Sequence, residues 1–147
     1  MILKSVFFSA VVVCLYGQGW HTNMEEAKEL ARKEHKHILL NFSGSDWCGP
    51  CTMLRKNILD QQAFMQLVDS ELVLVNADFP RKKRNQLTGE QQRLNDQLAD
   101  RYNPQGQFPL TLLLTQGGKV LKQWEGNPGV SPELFGKQVQ AAIDADK

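Results

Sequence analysis

The chain has 147 residues, 41% hydrophobic and 22% charged, a composition that suits one folded domain and excludes a disordered or low-complexity segment. Its formal net charge is +1, which supplies no global electrostatic reason to bind nucleic acid or an anionic membrane. Three cysteines, at positions 14, 48 and 51, are too few and too unevenly spaced for a disulfide-stapled scaffold.

The first residues differ in kind from the rest. Lys4 precedes an apolar stretch from Val6 to Tyr16, and Gly17 and Gly19 follow. That stretch is too short to cross a bilayer, which takes roughly 20 apolar residues. A basic start, a short apolar middle and small residues at the end read as an export signal over residues 1–19, cut near Gly17 or Gly19, with a single domain over 20–147. Cys14 lies inside this segment. Lipid attachment there is the alternative, weakened because Val11-Val12-Val13 precede it where a small residue would be wanted. Loss of the segment leaves Cys48 and Cys51 as the only cysteines.

Met24, Ala27, Leu30 and Ala31 recur at helical spacing through His35, with Thr22 or Asn23 as the cap. Ile38–Phe42 reads as a strand buried on both faces. Trp47-Cys48-Gly49-Pro50-Cys51 follows, and Met53, Leu54, Ile58 and Leu59 continue a helix from it, with a bend near Asp60 before Ala63, Phe64, Leu67 and Val68. Leu72–Ala77 is a second buried strand. Arg81-Lys82-Lys83-Arg84 is a basic loop, read as solvated, with an acidic partner or a membrane surface as the other uses of such a run. Thr88 and Gln91 form a capping-box pattern opening a helix that carries Leu94, Leu98 and Tyr102. Leu110–Thr115 and Lys119–Trp124 form a hairpin around Gln116-Gly117-Gly118. Ser131-Pro132 opens a terminal helix running to Ala145. Strands connected through helices should be parallel and the hairpin antiparallel, so the expected fold is α/β, a central mixed sheet with helices on both faces.

The Cys-x-x-Cys pair carries the chemistry. Cys48 falls at a helix start, where free backbone N–H groups favour negative charge, and the thiolate is the reactive form of cysteine. Cys51, one turn on, is within reach of a disulfide with it. A static disulfide and half of a zinc site are the competing readings. The zinc reading lacks a second Cys-x-x-Cys or a paired-histidine spacing, and no metal or other cofactor is expected. His21, His35 and His37 read as solvated.

With Trp47-Cys48-Gly49-Pro50-Cys51 after a buried strand, Pro109 before the last hairpin and Gly126 after it, the chain resembles thioredoxin-fold proteins over nearly all of residues 24–145. Within them, Leu40–Cys48 is similar to exported bacterial thioredoxin-like and disulfide-isomerase-like proteins. The resemblance implies a cis Phe108–Pro109 bond facing the cysteines. It also implies a substrate groove formed by Trp47, Gly49, Pro50, Phe108 and Pro109, and an exchange reaction in which Cys48 attacks and Cys51 resolves. The Gly-Pro insert resembles that of the reducing members, not the strong oxidants.

Two departures stand out. The strand position where thioredoxins carry a buried aspartate is Asn41 here, which leaves Asp46, Asp78 or a water to handle the Cys51 proton. In addition, 57 residues separate Cys51 from Pro109, a segment that holds the basic loop and a longer helix than a minimal thioredoxin needs. The expected function is an exported, monomeric thiol–disulfide oxidoreductase, periplasmic or secreted, that reduces or isomerises disulfides in other exported proteins. It would draw electrons from a membrane or soluble thiol reductant and bind no nucleic acid. A peptide-binding, chaperone-like module on the same fold and a reductase dedicated to one client are the alternatives.

Overall fold

The computed structural model describes residues 19–147; the apolar leader-like segment and Cys14 lie outside the described residues. The elements follow the chain order expected from periodicity. Helix α1 (Met24–Glu34) is capped by Asn23, whose Oδ1 accepts from the N–H groups of Glu25 and Glu26 at 3.0 and 3.3 Å. It ends at His35, which takes a left-handed conformation with φ 56°. Strand β1 (His37–Ser43) is buried at every position but the first. Helix α2 (Gly49–Leu54) runs directly into a π-helical turn, Arg55–Leu59. There the Asp60 N–H donates to the Arg55 carbonyl and the Arg55 Nε–H donates to the Asp60 carboxylate at 2.6 Å. The bend expected near Asp60 is this wider turn. Helix α3 (Gln62–Glu71), strand β2 (Leu72–Asp78) and helix α4 (Gly89–Tyr102) follow, with a short 3₁₀ turn at Lys83–Asn85 between the last two. Strands β3 (Leu110–Leu114) and β4 (Val120–Glu125) form the hairpin, and α5 (Pro132–Asp144) closes the chain.

The sheet order is β2-β1-β3-β4. β1 and β2 are parallel, while β1–β3 and β3–β4 are antiparallel. The register of β3 against β4 shifts between Leu113 and Leu114, a bulge next to the hairpin turn. Side chains along a strand alternate between faces, and this alternation divides the core in two. Ile38, Leu40 and Phe42 of β1, with Val73, Val75 and Ala77 of β2, pack under α1 and α4. Leu39, with Leu72 and Leu74, packs on the opposite face against Leu54, Ile58, Phe64, Phe135 and Val139. Helices therefore cover both faces, as expected for a sheet whose central strand is apolar on each side.

The His37 side chain departs from the solvated reading, and His21 gains a backbone role. The backbone of His21 extends the sheet beyond β2, its N–H donating to the Leu74 carbonyl at 2.8 Å and its carbonyl accepting from the Asn76 N–H at 2.9 Å. An edge strand with open N–H and C=O groups is thereby covered. His37 Nε2 lies 2.9 Å from the Asp146 carboxylate, joining the start of β1 to the end of the chain. His35 is exposed. Neither pairing has a local sequence signal, because each joins segments far apart in the chain.

Phe135 is fully buried, with its ring centroid 5.1 Å from Trp124 and 5.4 Å from Phe64. Truncation there removes contacts between α5, α3 and β4 and leaves a cavity. Phe135→Ala is expected to lower unfolding free energy by about 3–5 kcal/mol, measured by urea denaturation with the fold retained by circular dichroism. A loss below about 1 kcal/mol would mean that α5 contributes little to the core.

Candidate active site

Parity also builds the site. Asn41, Asn76 and Thr111 are registered across β1, β2 and β3, and all three lie on the α2 face with Leu39 and Leu74. The next pair along the same face is Ser43 and Asp78. A polar row thus tops an otherwise apolar face, and its groups satisfy one another. Thr111 Oγ1 donates to Asn41 Oδ1 at 3.1 Å, and Asn41 Nδ2 donates to Asn76 Oδ1 at 3.1 Å. Ser43 Oγ lies 3.2 Å from Asn76 Oδ1 and 3.3 Å from Asp78 Oδ1. Ser45 donates to the Asp78 carboxylate through both its N–H, at 2.9 Å, and its hydroxyl, at 2.5 Å. Asn41 is 3% exposed and Thr111 1%; an unpartnered polar atom at such a depth would cost about 1–3 kcal/mol.

The loop from Ser43 to Trp47 delivers the chain from β1 to α2. The Gly44 carbonyl accepts from the N–H groups of Trp47 (3.2 Å) and Cys48 (2.9 Å), which folds the loop back on itself. A Cβ at Gly44 would sit inside the Trp47 indole, so only glycine permits this close approach. Cys48 is the N-cap of α2, with Pro50 in the first turn, and the Cys51 N–H donates to Cys48 Sγ at 3.3 Å. A helix start aimed at the sulfur favours negative charge on it. Cys48 and Cys51 are joined by a disulfide, Cα–Cα 5.3 Å, and are 6% and 4% exposed. Gly49 and Pro50 are exposed beside them.

Behind the pair lies a cavity of about 340 Å³ that reaches solvent, lined by Asn41, Ser43, Cys51, Arg55 and Asn76 among others. Cys51 therefore borders an open, solvent-reaching space that Asn41 and Asn76 also line. In front, Trp47 is held by three contacts. Its Nε1–H donates to the Phe79 carbonyl at 2.7 Å, and its ring meets Phe108 edge-on at 5.3 Å. Phe79 in turn meets Phe108 at 5.5 Å. The Arg81 guanidinium lies 3.6 Å from the Trp47 ring centre, the third contact. The Phe108–Pro109 bond is cis, as the resemblance implies, and Phe108 is brought against Trp47 beside the cysteines.

The three candidates for proton handling sit in different places. Asn41 is in the polar row and lines the cavity together with Cys51. Asp78 lies one step further along, bonded to Ser45 and near Ser43. Asp46 serves another purpose: its carboxylate accepts from the backbone N–H groups of Arg81 and Lys82, both at 2.9 Å, and from Asn85 Nδ2 at 3.0 Å. These bonds, the Arg81 N–H foremost and the Asn85 amide next, hold the Asp46 carboxyl below the usual aspartate range. The basic loop is thus clamped to the residue two before Cys48. The polar row, Gly44 and the Arg81–Trp47 stack are the site features that the motif alone does not reveal. Asn76 carried the available signal, a polar residue inside an apolar strand at a parity that could match Asn41.

The thioredoxin-like family model matches residues 19–115, well over half of the chain. The chain belongs to the thioredoxin-like family. It is 36% identical over 104 residues to the disulfide bond reductase DsbH of Chlamydia pneumoniae, covering 71% of this chain and 61% of that protein. A 60-residue segment is 35% identical to the thioredoxin-related protein DsbJ of the same organism, 41% of this chain and 17% of that protein. The chain thus spans less than two thirds of either relative. Among solved structures, a DsbH oxidoreductase superposes with a TM-score of 0.77 at 28% identity, covering 97% of this chain and 95% of that one. The C-terminal domain of Neisseria meningitidis DsbD in its reduced form superposes with a TM-score of 0.57 at 25% identity, covering 81% and 93%.

The Asp46 clamp has a defined pH sense. Its folded carboxyl titrates below the unfolded one, so its contribution is complete above the ordinary carboxylate range, about pH 4, and is lost as pH falls through the lower folded value. Backbone amide shifts of Arg81 and Lys82, followed by NMR, should be constant from neutral pH to about pH 4 and move together below it. In Asp46→Ala the displaced shifts should already be present at neutral pH. A midpoint at or above the ordinary aspartate value would show that the clamp does not hold in solution.

Proposed function

We propose that this chain is an exported thiol–disulfide oxidoreductase of the reducing or isomerising type. The seat of Cys48 carries the reading: it caps a helix, accepts an N–H from its partner Cys51, and lines a shallow depression with Trp47 and Gly49. Similarity to a protein described as a disulfide bond reductase supports the reducing direction, as does the Gly-Pro insert.

The reaction balances within the pair and its client. The Cys48 thiolate attacks one sulfur of a client disulfide, forming a mixed disulfide and expelling the other client sulfur, which takes up a proton. The Cys51 thiol then loses its proton and attacks Cys48 Sγ, and the client leaves with its second thiol. The client gains two electrons and two protons. The chain is left with the Cys48–Cys51 disulfide and must be returned by a donor dithiol, either a membrane or a soluble reductant. An extended client segment fits beside Phe108, whose backbone N–H and C=O enter no loop hydrogen bond among the described residues and are free to pair with it.

The basic start and short apolar stretch of residues 1–19 support a location outside the cytosol, in the periplasm or an equivalent oxidising space, where its clients would be exported proteins bearing disulfides. Cys51→Ala removes the resolving thiol and should accumulate covalent adducts through Cys48. Expressed with residues 1–19 in a Gram-negative cell, it should yield several mixed disulfides in the periplasmic fraction, with the trapped chain beginning near residue 18 or 20 by mass. Adducts absent under both oxidising and reducing growth would instead favour a peptide-binding module.

Proton handling at Cys51 falls to the cavity behind it. Asn41 has one Nδ2 hydrogen committed to Asn76 and its oxygen to Thr111, which leaves a second hydrogen to orient a water there. The proton then leaves through solvent in the cavity, not through a buried carboxylate. Asn41→Leu should slow release of client from the mixed disulfide by about tenfold or more, while formation of the mixed disulfide keeps its rate. Stopped-flow measurement of both phases with a disulfide peptide checks this, and equal slowing of the two would assign Asn41 to the architecture alone.

A further inference from the structure

The basic segment Arg81–Arg84 is not a free solvated loop. Asp46 fixes it through two backbone N–H groups and Asn85, a 3₁₀ turn shapes Lys83–Asn85, and Arg81 stacks on Trp47. Lys82 lines the same shallow depression as Trp47, Cys48 and Gly49. All four basic residues are exposed. Among the described residues, none of the ion pairs within 4.0 Å involves Lys82, Lys83 or Arg84. The one carboxylate that holds the segment, Asp46, is spent on backbone N–H groups and an amide. The segment therefore sets four exposed cations against the single Asp46 carboxylate, with Arg81 and Lys82 held beside Cys48 and Lys83 and Arg84 next to them in the chain.

We propose that this loop is a docking site for an acidic segment flanking the client's disulfide, so that the protein selects clients with aspartate or glutamate within a few residues of the attacked cysteine. The inference rests on the thiol-exchange reading above and adds a client class to it. Charge complementarity names the occupant, and position decides between acidic peptide and anionic membrane. A membrane resting on this loop would cover the Cys48 rim, and residues 81–84 hold no apolar side chain to enter a bilayer. An extended client crossing the rim instead brings its flanking residues over the loop, at roughly 3.3 Å per residue. The cost of ordering long basic side chains is reduced for Arg81, whose guanidinium is already stacked.

The test uses three peptides of equal length, each with one intramolecular disulfide and with acidic, neutral or basic flanking residues. Rates of reduction by the dithiol form of the protein are compared at low salt. Exposed charge pairs are each modest in strength, so kcat/KM for the acidic peptide should exceed that for the neutral one by about three- to thirtyfold. The basic peptide should be the slowest. The preference should shrink toward unity near 1 M salt, where screening acts within about 3 Å. In Lys83→Ser/Arg84→Ser the acidic-to-neutral ratio should fall toward one, and Lys83→Arg/Arg84→Lys should keep it. Equal rates for the three peptides, or a ratio unchanged in the serine variant, would overturn the proposal while leaving the thiol reading intact. If no peptide is reduced, the thiol reading fails, and docking is decided by anisotropy with the same peptides carrying serine for cysteine: tighter binding of the acidic one supports the site, and equal binding overturns it. Sedimentation of the Cys48→Ser/Cys51→Ser protein with anionic vesicles, abolished by the loop variant and unaccompanied by a peptide preference, would assign the loop to a membrane and overturn the proposal.

Discussion

The structure depends on the two-residue period of β1. This strand lies at the centre of the sheet, between a parallel and an antiparallel neighbour, and is buried on both faces. Each of its side chains is therefore committed to one helical layer or the other. Ile38, Leu40 and Phe42 must face α1 and α4, so Leu39, Asn41 and Ser43 must face α2. A slip of one residue would place Asn41 among Leu98 and Val75 and remove the apolar support of both layers. The parity that stabilises the core is the same parity that brings a polar group behind Cys51.

Placing polar groups at that depth requires that they satisfy one another, and the register of three strands makes this possible. Thr111, Asn41 and Asn76 stand side by side because β3 and β2 flank β1 at matching positions. Their amides and hydroxyl form a continuous row that ends at Ser43 and Asp78. At the buried centre of this row the chain holds the uncharged Thr111 and Asn41, where a carboxylate would carry a large desolvation cost. The consequence for the site is that Cys51 borders a solvent-reaching cavity lined by Asn41 and Asn76.

The front of the site is organised by a different constraint, the joining of two segments about 35 residues apart. Gly44 leaves room for the Trp47 ring, and Phe79, Phe108 and Arg81 close around it. Asp46 meanwhile ties the loop before Cys48 to the loop after β2 through backbone N–H groups. Cys48, the aromatic cluster and the basic segment consequently form one surface. Mobility in the loop after β2 would be felt directly at Trp47, which links the least regular part of the chain to the reacting cysteine.

Element types and their order were legible in the residues, since helices, strands and hairpin each follow a local period or a capping pattern. The cysteine pair was legible too: Cys-Gly-Pro-Cys at a strand-to-helix junction is a local signal, and the helix start that Cys48 caps is built from its own neighbours. The sheet extension by His21 was not, because it answers to a pairing partner distant in sequence. The same holds at the site. Asn41 could be seen to replace an acid, but what stands in for that acid depends on the register of β2 and β3. Asp46 could be seen as a carboxylate near Cys48, but only the folded chain shows it turned toward Arg81 and Lys82. Local covalent order determines which groups react and which segments coil or extend; the pairing of strands and the closing of loops decide what surrounds them, because those contacts exist only once residues tens of positions apart share one core.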